Sequence, residues 1–252
     1  MTHTHRIDVS GEVVTKTYVD WGRGEHLREW TALQVIHAEK PHLVPAPIEL
    51  VQTGARPSVT MSKLPGEPLS GTLTTEQLQG LRAALGELWS VSPAGVEPVD
   101  YEAFVDRVRQ GISSWTGSGV VAEAQQAAAD WLAGSAADEL IKPVAIIIGH
   151  VDPNLANYLW DGTRIRIIDF EDAGRSDLAI ELANLVEHIA SRATDWTGFL
   201  EHFPVDPARL QAARRLYATF WLTLLRPDGP SSRRNPPGTA ELHAKRLLNL
   251  LS

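Results

Sequence analysis

Apolar positions change period along the chain, and the changes divide it into elements. Val13-Val14-Thr15-Lys16-Thr17-Tyr18 alternates as the edge of a sheet does, and Val9-Ser10-Gly11-Glu12-Val13 before it reads as a turn between two strands. From Gly24 to Ala38 the period becomes helical, with Leu27, Trp30, Leu33 and Ile36 or His37 on one stripe and Glu29 beside it. Val59 to Leu64 is again a strand and runs into the turn Pro65-Gly66. Thr74-Thr75-Glu76-Gln77 has the form of a capping box, and Leu78, Leu81, Leu85, Leu88 and Trp89 follow at helical spacing. Further helices are expected around Tyr101, Phe104, Val108 and Ile112, and from Val120 to Leu132. Val144 to Ile148 reads as a buried strand. Asp177 opens and caps a helix bearing Leu178, Leu182, Leu185, Val186 and Ile189. Pro207 to Leu225 and Thr239 to Leu251 form the last two helices, joined by a loop rich in proline, serine and arginine. The chain has no internal repeat.

Between Asn157 and Asp169 the pattern is strand, turn, strand: Tyr158-Leu159-Trp160, Asp161-Gly162, then Arg164-Ile165-Arg166-Ile167-Ile168. Laid out straight, those residues would hold Asn157 and Asp169 roughly 40 Å apart. Folding back at Asp-Gly returns both to one open edge, where an amide oxygen and a carboxylate suit a hard cation such as Mg2+. Pro153 biases Asp152 toward an extended or turn conformation, so Asp152 is expected on a loop at the end of the preceding strand. A carboxylate there can accept the proton of an attacking hydroxyl.

Lys16 is the only lysine before residue 40 and is therefore the candidate phosphate clamp. Taken singly, Lys16 and Glu29 also fit solvated surface charges, and an aspartate after an Asp-Gly hairpin is ordinary. Tyr101, Phe104, Trp115 and Trp131 read as core.

Composition narrows the class without choosing a function. With 252 residues and 43% hydrophobic content, the chain suits one compact two-lobed unit with a sizeable core. It has no cysteine, which excludes disulfides, thiolate metal sites and cysteine nucleophiles. Its 9 histidines lack ligand spacing, so no zinc site is expected. A formal charge of −8 argues against nonspecific nucleic-acid binding and favours approach of cationic small molecules. There is no membrane-length apolar run, and Met1-Thr2-His3-Thr4-His5 lacks the apolar core of a secretion signal, so a cytoplasmic location without membrane attachment is expected.

The segment His150-Val151-Asp152, an asparagine five positions further on, and Ile168-Asp169-Phe170 after a hairpin together resemble the aminoglycoside and choline phosphotransferase family of kinase-like enzymes. The similarity runs on through Glu171-Asp172-Ala173-Gly174-Arg175-Ser176-Asp177-Leu178-Ala179, covers roughly residues 13 to 225 and is most specific between 144 and 186. It implies an α+β, protein-kinase-like fold: a small antiparallel-sheet N-lobe, residues 1–64 and shortened here, and a mainly helical C-lobe, residues 65–252. By the resemblance, Asp152 is the catalytic base and Asn157 and Asp169 hold Mg2+. Lys16 pairs with Glu29 to orient toward the nucleotide phosphates, and Met61, Ser62, Lys63 and Leu64 form the hinge that receives the base. Val151 stands where the family usually has glycine, and Pro153 and Asn154 alter the loop after the base. His150 reads as an anchor of that loop.

The implied activity is transfer of the γ-phosphate of ATP, or of GTP, to a hydroxyl of a small molecule, such as an aminoglycoside in antibiotic resistance. Glu171, Asp172 and Glu187 are candidate contacts to cationic groups on that acceptor, from their position near the metal segment. No Gly-x-Gly-x-x-Gly segment precedes Lys16. The alternative is therefore a degenerate kinase-like protein that binds nucleotide or a small ligand without transferring phosphate. The sequence leaves the acceptor and the oligomeric state open.

Overall fold

A computed structural model describes residues 5–53 and 55–252; Met1 to Thr4, which carry most of the leader reading, lie outside the described residues. The chain forms two compact units. The first comprises Met1–Val99, Ile146–Leu178 and Ala193–Phe199, and the second Asp100–Ala145, Ala179–Arg192 and Leu200–Ser252. The segments carrying Asp152, Asn157 and Asp169 thus share a unit with the strand of Lys16.

In the first unit, β1 (Arg6–Ser10), β2 (Val13–Thr17), β3 (Pro47–Val51) and β4 (Ser58–Ser62) make an antiparallel sheet ordered β1-β2-β4-β3. The β1–β2 turn is Gly11-Glu12, with Gly11 at φ 59°. Register sets Val9 opposite Val14, Val14 opposite Met61 and Lys16 opposite Val59, so all five share one face. α1 (Glu25–Glu39) follows Gly24, whose φ of 77° starts the helix, and it packs on β3 and β4. Its buried face is Glu29, Ala32, Leu33 and Ile36. Leu27, expected on that stripe, is largely exposed, and the polar Glu29 takes part in the buried face in its place.

β5 (Glu67–Pro68) leaves the hinge and pairs with β7 (Tyr158–Trp160), which pairs with β8 (Ile165–Ile167). Gly66 is required between hinge and β5: at φ 120° a Cβ there would meet the Trp160 carbonyl carbon at 3.0 Å. α2 (Thr75–Ser90) begins with the expected capping box, Gln77 N–H donating to Thr74 Oγ1 at 3.3 Å and Thr74 N–H to Gln77 Oε1 at 3.0 Å. It buries Leu81, Ala84, Leu85 and Leu88 and packs on β8 and β6.

β6 (Ile146–Gly149) pairs antiparallel with β9 (Gly174–Asp177), an element the sequence reading assigned to a connecting stretch. Val144 and Ile146, expected to be buried, are exposed; the buried part of this strand is Ile147 and Ile148.

The second unit is helical: α3 (Tyr101–Ser113), α4 (Val120–Leu132), most of α5 (Leu178–Glu187), α6 (Pro207–Leu224) and α7 (Thr239–Leu251). Asp206 caps α6 by accepting from Arg209 N–H at 2.7 Å, with Pro207 at the first helical position. Phe104 packs 5.1 Å from both Tyr217 and Phe220, a core role as expected for Phe104.

Candidate active site

The hairpin that carries the site is fastened at its tip. Asp161 Oδ1 accepts from Thr163 N–H at 2.9 Å, Thr163 Oγ1 at 2.8 Å and Arg164 N–H at 2.9 Å, while its other oxygen pairs with Arg166. Arg166 and these donors hold the Asp161 carboxyl well below the usual carboxylate range. At the open end, Ile168 N–H donates to the Asn157 carbonyl at 3.0 Å, which sets Asn157 directly across from the residue before Asp169. The turn therefore does what the spacing required.

Asp152 lies on the loop after β6. Val151 before it has φ 68°, the left-handed region that a β-branched residue occupies only under strain, which gives a physical reason for the family's glycine there. Asn154 caps a short turn by accepting from Ala156 N–H at 3.1 Å, and that turn folds Asn157 back onto Asp152. Asn157 Nδ2 donates to the Asp152 carbonyl at 3.0 Å and to Asp152 Oδ2 at 3.4 Å. Pro153 and Asn154 thus shape a compact loop joining the Asp152 carboxylate and the Asn157 amide. His150 is buried, packs tilted against Phe170 with centroids 4.9 Å apart, and donates from Nε2 to the Ile168 carbonyl at 2.8 Å. Because a carbonyl only accepts, the proton is on Nε2, and the ring serves as the expected loop anchor.

The other half of the site surrounds one ammonium. Lys16 is 5% exposed, and its Nζ meets Glu29 Oε2 at 2.8 Å, Glu171 Oε2 at 2.6 Å and Asp169 Oδ1. Burial alone would lower the Lys16 pKa, but Glu29, Asp169 and Glu171 outweigh it and raise the value, so the ammonium stays charged. For the Glu171 carboxyl, burial and the neighbouring Asp169 outweigh Lys16 and push the pKa up. Asp169 sits at φ 70°, a conformation aspartate tolerates better than most residues, and Arg28 Nε donates to the Glu171 carbonyl at 2.9 Å. Neighbouring side chains on α1 therefore grip the lysine and the metal segment, Glu29 one and Arg28 the other.

The candidate Mg2+ ligands fit a hard cation. Asn157 commits its nitrogen to Asp152 and so keeps its amide oxygen as the lone-pair end, and the Asp169 side chain is 38% exposed. The carboxylates of Glu29, Asp169 and Glu171 also bring ligand atoms within 4.8 Å of one another. At the hinge, Ser62 N–H is taken by the Ala46 carbonyl and Lys63 N–H by the Glu12 carbonyl, while among the described residues nothing accepts from Leu64 N–H. Met61 is buried in β4.

The three candidate acceptor contacts are placed differently. Glu171 is held by Lys16 and by His5 Nε2 at 2.9 Å. Asp172 pairs with Arg23 at 3.2 Å and Arg28 at 3.7 Å. Glu187, in the second unit, is 2% exposed and meets Arg214 Nε at 2.8 Å and Arg246 Nη2 at 3.1 Å. Each carboxylate already has a cationic partner within the chain. His5, Tyr18 and Arg28 were not singled out from the sequence. Tyr18 had a signal in its alternation with Lys16 along the strand; His5 and Arg28 reach partners more than 140 positions away and had none.

Comparison with known proteins identifies the fold and the family. No curated protein matches the chain. Among solved structures, a choline/ethanolamine kinase family protein from Mesorhizobium loti superposes with a TM-score of 0.71 at 16% identity, covering 100% of this chain and 86% of that one. A thermostable mutant of the aminoglycoside phosphotransferase APH(4)-Ia, solved with ADP and hygromycin B, gives 0.69 at 15% identity, covering 100% and 91%. The GDP complex of aminoglycoside 2'-phosphotransferase-IIIa gives 0.65 at 13% identity, covering 100% and 90%. At these identities the likeness is one of fold, and the fold is α+β and kinase-like. The sequence profile of the phosphotransferase enzyme family matches residues 17–224, most of the sequence, and the chain belongs to that family.

Proposed function

We propose that the chain is a small-molecule kinase that transfers the γ-phosphoryl group of ATP, or of GTP, to a hydroxyl. The observation that carries this reading is the gathering of Lys16, Glu29 and Asp169 at one ammonium, with Asp152 bound to Asn157 across the base of the same hairpin. Lys16 binds the triphosphate, Glu29 orients it, and Asp152 accepts the hydroxyl proton. Asn157 and Asp169 hold Mg2+, which when bound neutralises charge on the phosphates. The base lies at the hinge from Met61 to Leu64, where Leu64 N–H is open to an acceptor on its edge and exposed Val9 shares the sheet face with Val14 and Met61. Rate comes from positioning and charge stabilisation.

The acceptor is a hydroxyl-bearing small molecule; nucleic acid and membrane play no part in this reading. A structural relative holds ADP together with hygromycin B, which supports antibiotics as one acceptor class and choline-like alcohols as another. The internal pairing of Glu171, Asp172 and Glu187 removes their support for a cationic acceptor in particular. No helix among the described residues is long and apolar enough to cross a membrane. The need for a nucleoside triphosphate supports a cytoplasmic location.

A second reading is a protein that binds nucleotide without transferring phosphate. It is favoured by the two-residue β1–β2 turn, too short to cover phosphates, and by the three carboxylates already neutralising Lys16. The test is incubation with nucleotide, Mg2+ and a library of antibiotics and metabolites, followed by mass spectrometry for products heavier by one phosphate. A product made by the wild-type chain and absent with Asp152→Asn supports transfer. No product across the library, with nucleotide still bound, supports the second reading.

A further inference from the structure

We propose that Tyr18 and His5 are positioning residues for Lys16: Tyr18 donates to Glu29 and His5 lies in charge contact with Glu171, the two glutamates that hold the lysine, and together they fix where its ammonium sits. The functional consequence rests on Lys16 being the phosphate-binding lysine proposed above, whereas the geometry stands without it.

Each glutamate faces the ammonium and one aromatic ring. Glu29 Oε2 pairs with Lys16 Nζ at 2.8 Å and receives the Tyr18 hydroxyl. Glu171 Oε2 lies 2.6 Å from Lys16 Nζ and 2.9 Å from His5 Nε2, charge contacts without hydrogen-bond geometry. His5 Nδ1 accepts Val19 N–H at 3.1 Å, so a neutral ring carries its proton on Nε2 and turns its positive edge to Glu171. Burial, then Glu29, pushes the Tyr18 phenol up, so it stays protonated and donating.

The hairpin explains why these two rings meet. Arg6 pairs with Thr17, so the next residues outward, His5 and Tyr18, come to lie side by side, with centroids 4.7 Å apart. Tyr18 is fully buried, and Lys16 Nζ lies 5.1 Å from the centre of its ring. A glutamate holding a lysine by itself can rotate with it. A glutamate also bound by a packed ring of two torsions has far less freedom, so the ammonium is fixed from two sides.

The test is labelling of the full-length protein with trinitrobenzenesulfonate, reading the rate at Lys16 by mass spectrometry against Lys40, Lys63, Lys142 and Lys245 in the same digest. Tyr18→Phe keeps the ring and removes the hydroxyl; His5→Phe keeps a ring and removes the donor; His5→Gln keeps a donor that can reach Glu171. Tyr18→Phe and His5→Phe are expected to raise the Lys16 rate by about tenfold, with the other four lysines unchanged and His5→Gln near the wild-type rate. An unchanged Lys16 rate in both phenylalanine variants, or an equal rise at all five lysines, overturns the proposal. Should Tyr18→Phe fail to fold, His5→Phe against His5→Gln makes the same comparison. A wild-type chain that follows this labelling pattern yet binds no ATP with Mg2+ contradicts the proposed function and leaves the positioning role standing.

Discussion

His150 donates from Nε2 to the Ile168 carbonyl across 2.8 Å, tying the residue two before Asp152 to the residue before Asp169. The Asp152 loop and the Asp169 segment are thereby one mechanical piece. His150→Phe keeps a ring against Phe170 but leaves the carbonyl unpaired, which is expected to cost about 1–3 kcal/mol of stability. Because small displacements of a base cost rate more than binding, phosphoryl transfer should fall further than nucleotide affinity. Urea denaturation and paired rate and binding measurements check both.

Val151 at φ 68° stores strain that a glycine would not. Val151→Gly is expected to stabilise the chain by about 1 kcal/mol, relief of left-handed strain exceeding the added freedom of the unfolded chain. That corresponds to a rise in Tm of about 2–4 °C by calorimetry.

Much of this was legible in the sequence because its signals are local. The Asp161-Gly162 hairpin and the Thr74 capping box each lie within a few residues and appear as read. β9, Gly-Arg-Ser-Asp, carries no apolar alternation, and β3 opens on a proline; both are strands because of what pairs beside them. The site divides likewise. Lys16, Asp152, Asn157 and Asp169 could be chosen by type and spacing and Glu29 by the family resemblance, but the partners of Glu171 and Glu187 depend on tertiary approach. Acidic residues near a metal motif look free on paper, and here they are bound by His5, Lys16, Arg214 and Arg246.

Both carboxylate oxygens of Glu187 are held by arginines. Glu187→Gln leaves Arg214 and Arg246 without their carboxylate and is expected to cost about 2 kcal/mol, less than a fully buried pair because both arginines reach solvent. Equilibrium unfolding measures the loss.

His243 gives a pH dependence. Burial lowers its pKa, against the favourable effect of donation from Nε2 to the Ala218 carbonyl at 2.7 Å. With the folded value depressed, its contribution to stability is complete above the unfolded value of about 6.5 and is lost as pH falls from there, since only the unfolded chain takes up the proton. Urea midpoints should drop between about pH 7.5 and about pH 5.5, and drop less in His243→Gln, which keeps a donor but does not titrate.

The central claim is that Asp169 and Asn157 hold Mg2+ on a nucleotide bound by Lys16, with Asp152 reserved for the acceptor. Calorimetric titration of ATP with and without Mg2+ into the wild-type, Asp169→Asn and Asp152→Asn proteins tests it most directly. The wild type should bind about tenfold or more tightly with the metal, Asp169→Asn should lose that gain, and Asp152→Asn should keep it. A metal-dependent gain that survives in Asp169→Asn, or vanishes in Asp152→Asn, contradicts the account.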